Sequence, residues 1–434
     1  MKYPEKGKVK TRLARGIGQE KALCLYQKLV RRTLGIASDF NMVHNDVDPF
    51  LFYYPPEKNA EIRKAYPGPW AFVSQADGHL GDKMGAAFDH VFQKGYRQAV
   101  LIGSDIADLI GRDIEEAFEA LDEHQAVVGP AQDGGFYLIG LKAPCAKVFN
   151  FPSWSNPSVY ERTLHCLQDA GLRVKAISKR RDIDQEEDMV HVKDQSIFHD
   201  QISIIIPLLG GMARLAPLIE HLEAQLWPGD EIIIVKDWSP CRTHEEPGSG
   251  PVTITSQTRL VFGPRGRGSQ LNCGTRVAQG NLLWFLHADT VPPPNFGYHI
   301  RKLSQATECA LGCFKISLGK RHVLLRLISK WANLRTKYFK LPYGDQGLFC
   351  SRHILEKVGG FRKQFLMEDV DLVRACNKVG KLLIIPQELY SSPERYLRKG
   401  ILRASCQNQL LMLLYFLGVS DRRLYRFYYD ADPQ

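Results

Sequence analysis

The sequence predicts an α/β protein in which one kind of unit is built twice, on three observations. Short apolar runs alternate with amphipathic segments through both halves of the chain, the pattern of strands followed by helices. Each half contains an apolar run that stops at an aspartate, VLIGSD at Asp105 and LLWFLHAD at Asp289. At 434 residues the chain is longer than single cores usually grow. Two domains are therefore expected, at residues 1–196 and 201–434, with polar residues thickening across 182–201 to mark the boundary.

In the first half, Ala22, Leu23, Leu25, Tyr26, Leu29 and Val30 fall at helical spacing and predict a helix over 19–32. A short strand is expected at 71–73. A helix over 83–94 would carry Met84, Ala87, Phe88, Val91 and Phe92 on its inner face. Residues 99–103 read as a buried strand running into Ser104 and Asp105, 113–121 as a helix, and 126–128 and 136–139 as strands. In the second half a strand at 202–206 ends at Pro207, followed by a helix at 215–226 and a strand at 231–235 that runs into Lys236 and Asp237. A Pro-, Gly- and Ser-rich loop covers 239–251. Residues 266–290 hold a Gly- and Arg-rich turn, a helical segment and the strand 282–286, which ends abruptly at His287-Ala288-Asp289.

One asymmetry separates the two halves. The second opens on a strand before its first loop, whereas the first opens directly on the basic loop at Lys6, Lys8, Lys10 and Arg12. Either the true start lies upstream, or the first domain lacks its opening strand.

A net charge of +10 suits a nucleotide or an anionic membrane surface and does not choose between them. The ten cysteines are scattered, and Cys309 and Cys313 do not match the C-x2-C spacing of structural zinc sites, so reduced thiols in a cytoplasmic protein are expected. Met1 is followed by a basic stretch rather than an apolar one, so no signal peptide is expected. The apolar run at 410–417 is too short to span a bilayer. With Arg398, Lys399, Arg403, Arg422, Arg423 and Arg426 around it, the tail reads as a packed C-terminal helix or as a peripheral contact with the inner membrane.

The chemistry-bearing residues follow from these placements. A buried strand that delivers a carboxylate at its C-terminal end puts that group where open α/β sheets bind ligands. Asp289 is thus a candidate holder of a divalent metal on a nucleotide diphosphate; the alternative is an aspartate that caps a turn. Lys8, Lys10 and Arg12 bracket Thr11 just before a helix, an arrangement that suits a phosphate and equally suits a solvated basic segment. Asp133-Gly134-Gly135 allows close backbone approach to a ligand, and Asp105, Asp182 and Asp184 are carboxylates able to share a hard cation. Glu368, Asp369 and Asp371 read as an acidic cluster at a helix N-terminus, favoured there by the macrodipole, or as a source of a general base.

VKTRL, LIGSD, GPAQDGGFYLIGL, Trp154-Ser155 and RDIDQEEDM resemble a bacterial family of GT-A-type transferases related to the cobinamide- and molybdenum-cofactor-type nucleotidyltransferases. The resemblance covers nearly all of residues 1–195 and implies nucleotide-diphosphate binding with a metal at Asp105. His79 and Ile106-Ala107 depart from its pattern. SIIIP, GRGSQLNCG, LLWFLHADT, LPYGDQ and LMEDVDL resemble the family 2 glycosyltransferases, most closely the subgroup associated with arsenosugar-type biosynthesis.

Together the two resemblances imply two GT-A-like, Rossmann-like domains with mixed, mostly parallel sheets. The second implies an inverting transfer from a nucleotide-diphosphate sugar to the hydroxyl of a small-molecule or lipid-linked acceptor, with no nucleic-acid partner. Asp289, with His287 or a water, would hold Mg2+ or Mn2+, as Asp105 and Asp184 would in the first domain. Arg265 and Arg267 would contact the diphosphate, with Pro207 and Asp237 in the nucleotide site. Asn272 would bond either donor or loop backbone. Asp369 is the expected base, with Glu368 close behind. Asp345 and Gln346 would line the acceptor pocket or form a turn. Gly210-Gly211 and Lys236-Asp237-Trp238-Ser239-Pro240-Cys241 depart from the family pattern at positions that normally grip the nucleoside.

Overall fold

The computed structural model describes residues 1–150, 154, 158–191, 200–209, 211–237, 252–306, 308–319 and 322–429. The chain divides into two compact units, Met1–His199 and Asp200–Gln434.

In the first unit β1 (Phe50–Tyr53) and β2 (Ala71–Ser74) form a parallel pair. Residues 1–3 run alongside β1: a parallel bridge joins Lys2 to Tyr54, and the Met1 amino group donates to the carbonyl of Phe52. The second sheet orders β3 (Ala99–Ile102), β5 (Phe136–Leu141), β4 (Ala126–Pro130) and β6 (Val174–Ala176). In it β5 is antiparallel to both β3 and β4, and β4 is parallel to β6.

The helix expected at 19–32 runs on to Val43, because Leu34 and Ile36 continue its buried face. That face packs on Leu51 and Tyr53 of β1 and on Trp70. Helix Leu80–Gln93 buries Met84 and Phe88 against β4 and β5. Helix Gly111–Glu123 is fixed from below: Asp113 caps it through the Ile110 N–H and is held by Arg180, with Nη2 to Oδ1 at 2.6 Å.

The second unit is one mixed sheet of nine strands among the described residues. In chain order they are β7 (Ile202–Leu208), β8 (Glu231–Asp237), β9 (Val252–Thr253), β10 (Thr258–Gly263), β11 (Leu282–Phe285), β12 (Thr290–Val291), β13 (Cys309–Ser317), β14 (Phe349–Ser351) and β15 (Lys381–Ser391). Across the sheet they lie in the order β12-β15-β13-β14-β11-β7-β8-β10-β9. The block β10-β8-β7-β11 is wholly parallel. β8 and β10 lie on one side of β7 and β11 on the other, so the winding reverses between β7 and β11. Open sheets of this kind bind ligands at such a crevice, outside the carboxyl ends of the strands.

Alternation along the central strands explains their unbroken apolar runs. Ile202, Ile204 and Ile206 of β7, with Leu282 and Trp284 of β11, enter one core. Ile205, Leu283 and Phe285 enter the other. With both faces covered, such strands lose the in–out polar pattern of a half-solvated sheet. Trp284 is fully buried, and its indole N–H is satisfied by the carbonyl of Gly347 at 3.1 Å.

Candidate functional site

The crevice of the second unit is assembled from three loops. After β10, Pro264-Arg265-Gly266 turns the chain, with Gly266 at φ 110°, and helix Arg267–Val277 starts at Arg267. After β11 come His287 and Asp289. The third loop carries Gly344 and Asp345 in the short helical turn Gly344–Gln346. Helix Glu368–Cys376 supplies the acids: its N-cap Met367 sits at φ 69°, an uncommon conformation for a non-glycine residue, and three carboxylates occupy its first turn. A small pocket brings together Arg267, His287, Gly344, Glu368 and Asp369 over an apolar floor of Leu271, Phe285, Leu348 and Phe361.

The contacts are close and specific. Asp369 Oδ2 accepts the Gly344 N–H at 2.7 Å, and Oδ1 accepts the Val370 N–H at 2.8 Å. A Cβ on Gly344 would lie 2.8 Å from His287 Nε2 and 3.3 Å from Asp369 Oδ2, so the loop fits only with glycine there. Glu368 is buried, with 2% of its side chain exposed, and its Oε1 lies 3.4 Å from Arg267 Nη1. That is an ion-pair distance, and Oε1 has no hydrogen-bond donor.

The electrostatics follow from burial. Desolvation pushes Glu368 up to about 7, against the pull of Arg267 and with Asp369 adding to the rise. His287 is held well below its ordinary value by burial and then by the neighbouring Arg267, so it is a neutral imidazole. Burial works against the charge of Arg267, but Glu368 and Asp369 outweigh it and hold the guanidinium above its usual range. Asp345 rises to about 6, first through burial, with Asp369 and Asp289 raising it and Arg335 and Arg267 opposing. Asp289 is exposed by surface area, yet the protein packed around it is dense enough to raise it. The surface area decides that a ligand can reach it.

Other expected residues occupy different positions. Asn272 is consumed by loop backbone: its Nδ2 donates to the Phe361 carbonyl at 2.7 Å and its Oδ1 accepts the Phe361 N–H at 3.0 Å. Gln346 turns inward and is fully buried. Its amide donates to the Phe314 carbonyl at 3.0 Å and accepts from Thr336 Oγ1 at 2.8 Å, because the turn needs both groups satisfied. Pro207 and Asp237 lie at the ends of β7 and β8, and Asp237 pairs in register with Gly263. Arg265 is exposed on the turn before the helix. Gly210 and residues 238–241 lie outside the described residues.

Sequence reasoning missed the aromatic residues close to Arg267. Tyr428 and Tyr429, on helix Asp421–Tyr429, lie close enough to act on Arg267. Arg395 stacks over the Tyr428 ring at 3.9 Å, and Arg335 over Tyr343 at 3.4 Å. The run Tyr425, Phe427, Tyr428 and Tyr429 is their linear signal.

In the first unit, Lys10 is nearly buried, with 6% of its side chain exposed, and sits at φ 44°. Its Nζ lies 2.8 Å from Asp105 Oδ2 and 3.1 Å from Asp184 Oδ1; Arg12 Nη1 reaches Asp184 at 3.4 Å. Burial disfavours the lysine charge, but the two carboxylates raise it above its ordinary value. Asp133, Asp182 and Asp184 bring carboxylate oxygens within 4.8 Å of one another, a candidate divalent-cation cluster. Asp182 is pushed up to about 6 by burial, then by Asp133 and Asp184. Asp105 is not in that group; it faces Lys10 instead. Gly134, at φ 89°, and Gly135, whose N–H bonds Asp133 Oδ1 at 2.8 Å, shape the turn beside the cluster. Lys8 pairs with Glu5 at 2.5 Å, and Lys8 and Thr11 are exposed.

The chain thus consists of two α/β units, each with its own cluster of candidate site residues. Residues 203–355 match the family described as glycosyl transferase family 2, and residues 42–156 match the one described as "Uncharacterized protein conserved in bacteria (DUF2064)". The chain therefore carries an N-terminal DUF2064 domain and a C-terminal family 2 glycosyltransferase domain. A curated relative, an uncharacterized glycosyltransferase of Rickettsia prowazekii (strain Madrid E), is 28% identical over 115 residues. The match covers 26% of this chain and only 34% of that relative.

Among solved structures, a protein provisionally designated a nucleotide-diphospho-sugar transferase, from Desulfovibrio desulfuricans G20, is 34% identical at a TM-score of 0.41, over 45% of this chain and 84% of its own. A mannosyltransferase of Pyrobaculum calidifontis, solved with GDP-Man and Mn2+, is 16% identical at a TM-score of 0.36, over 49% of this chain and 61% of its own. Glucosyl-3-phosphoglycerate synthase of Mycobacterium tuberculosis, solved with Mn2+, UDP and phosphoglyceric acid, is 16% identical at 0.35, over 54% and 84%.

Proposed function

We propose that the second unit transfers a sugar from a nucleoside-diphosphate donor to an acceptor hydroxyl with inversion at the anomeric carbon. The observation that carries this reading is the convergence of Arg267, His287 and Asp369 in one pocket of a family 2 glycosyltransferase domain, with Asp289 close enough to feel the charge of Arg267. Asp369 is the general base. Two backbone N–H groups orient its carboxylate, and it stays partly open at the pocket, where an acceptor can reach it. Glu368 is buried behind it and positions Arg267. The acceptor oxygen gives its proton to Asp369 and forms a bond to the anomeric carbon. The bond from that carbon to the diphosphate oxygen breaks, and the nucleoside diphosphate leaves with both electrons. Arg267 faces the charge that develops on the leaving group.

The residues at Asp289 fit a divalent cation. The Asp289 carboxylate is exposed and His287 is neutral. No third carboxylate or histidine joins them among the described residues. A site with one or two protein ligands suits Mg2+ or Mn2+ completed by substrate phosphates. Such an ion supplies Lewis-acid stabilisation of the departing diphosphate.

For the first unit we infer a nucleotide-diphosphate site of the nucleotidyltransferase type. It is built on Lys10, Asp105 and the Asp133, Asp182 and Asp184 cluster, which would hold its cation. A bifunctional, cytoplasmic enzyme of the arsenosugar-type subgroup is the fuller form of this reading.

Titration with UDP- and GDP-sugars, with and without Mn2+, tests the assignment. Saturable Mn2+-dependent binding that Asp289→Ala abolishes is the expected result; no binding of any donor sinks the transfer reading. Pyrophosphate release from a nucleoside triphosphate that is lost in Asp105→Ala and indifferent to Asp289→Ala would place the activity in the first unit.

A further inference from the structure

Helix Val323–Phe339 carries an outward face that neither proposed site uses. At about 100° per residue, Val323, Leu327, Trp331, Leu334 and Tyr338 fall on one line, and all five are exposed, Trp331 by 49%. Arg326, Lys330 and Lys337 form a second exposed line directly beside them. The opposite face is buried: Leu325, Ile328 and Ala332 pack on Ile316 and Leu318 of the β13 region and on Ile401. Ile401 opens helix Ile401–Phe416, which repeats the motif with exposed Leu402, Leu410, Leu413 and Phe416.

The charge on this pair of helices has one sign. Residues 309–344 hold eight Lys or Arg and no Asp or Glu, and residues 395–420 hold four and none. The whole positive excess of the chain lies in this unit, where residues 200–434 hold 31 Lys and Arg against 20 Asp and Glu. No described helix is long and apolar enough to cross a membrane.

We propose that this helix pair, led by Val323–Phe339, docks on an anionic bilayer surface. An apolar line that includes Trp and Tyr, flanked by a basic row and without acids, lies along the headgroup boundary with its apolar side down. The cations meet the negative surface potential. The same helix runs directly into the site: Arg335 Nε bonds the Leu341 carbonyl at 3.0 Å, and the Tyr343-Gly344-Asp345 loop follows. The docked helix therefore holds the pocket's loop near the headgroups, and the acceptor is an amphiphile whose hydroxyl is presented from the bilayer. That last step rests on the transfer reading; the docking does not.

The test is co-sedimentation of the full chain with phosphatidylcholine vesicles, with and without about 30 mol% phosphatidylglycerol. Partitioning at least about tenfold stronger to the anionic vesicles is expected, weakening as salt is raised. A blue shift of Trp331 emission that Trp331→Phe removes should accompany it. Leu327→Asp with Leu334→Asp should weaken binding by at least about tenfold while leaving the melting curve unchanged, since both positions are exposed. Three results overturn the docking: no binding to anionic vesicles; binding undiminished in the double variant; or a wild-type dimer that the double variant makes monomeric, with no vesicle binding, which would assign the face to a second copy of the chain. Vesicle binding without donor binding would leave the docking standing and remove the transfer reading, and the reverse result would do the opposite.

Discussion

Replacing Gly344 by alanine tests the packing at the centre of the pocket. The added Cβ would lie 2.8 Å from His287 Nε2 and 3.3 Å from Asp369 Oδ2, inside the contact distance of the first and at the limit of the second. Gly344 is not among the positive-φ glycines, so the cost is steric rather than conformational. Overpacking of this kind costs about 1–3 kcal/mol. For a unit of this size each kcal/mol lowers Tm by about 2–4 °C, so a fall of about 2–12 °C is expected in the transition followed by tryptophan fluorescence. The clash is with one named side chain, so His287→Ala in the Gly344→Ala background should recover most of the loss, a coupling of about 1–2 kcal/mol. Additive effects of the two substitutions would refute the placement of His287 against this loop. Under the proposed function, a displacement of His287 and Asp369 by a few tenths of an ångström should also lower turnover by about 10²-fold.

Three further outcomes are expected. Asp113→Ala removes the buried partner of Arg180 and the cap of helix Gly111–Glu123 together, and should destabilise the first unit by about 3–5 kcal/mol in denaturant titration. Asp345 has a folded-state pKa raised to about 6, so the native state keeps a proton that the unfolded chain releases. Stability is therefore lost as pH rises from about 4 through about 6 and is level above that. Asp345→Asn should be spared this loss, so its stability advantage over the parent should grow between pH 4 and pH 7 by about 1–2 kcal/mol, allowing for its partial exposure. Asp182→Asn should lower Mn2+ affinity in the first unit, read by electron paramagnetic resonance of free Mn2+ with Asp289→Ala as the background; unchanged affinity would exclude that cluster as a cation site.

Alternating strands and helices, the buried strand ahead of Asp289 and the helix behind Gly266 were all legible, because each rests on local periodicity and turn chemistry. The short strand β1 was not, since FLFY has no alternation to read, and its partner β2 lies about 20 residues away across a helix. Glu368 and Asp369 could be suspected as a pair. The ion pair between Glu368 and Arg267 could not, because the two lie about 100 residues apart in sequence. Asn272 and Gln346 carried polar groups of the right kind for a ligand, but backbone partners that no linear pattern reveals take them up. Asp182 was visible as an acid near the end of the first unit. Its proximity to Asp133 is a product of the turns around Ile106 and Ala131, whose isolated bridges reach Asp182 and Arg180.

The position of β13 in the sheet sets the order in which the second unit can form. Its neighbours are β14 on one side and β15 on the other, and both are encoded after it. A ribosome making this chain releases residues 309–317 as a strand with two open edges. One edge waits some thirty residues for Phe349–Ser351, and the other some sixty for Lys381–Ser391. The apolar-faced helix Val323–Phe339 emerges within that interval. During synthesis the unit therefore passes through a stage with an unpaired hydrophobic strand and an amphipathic helix both exposed, the condition under which nascent chains aggregate or recruit chaperones.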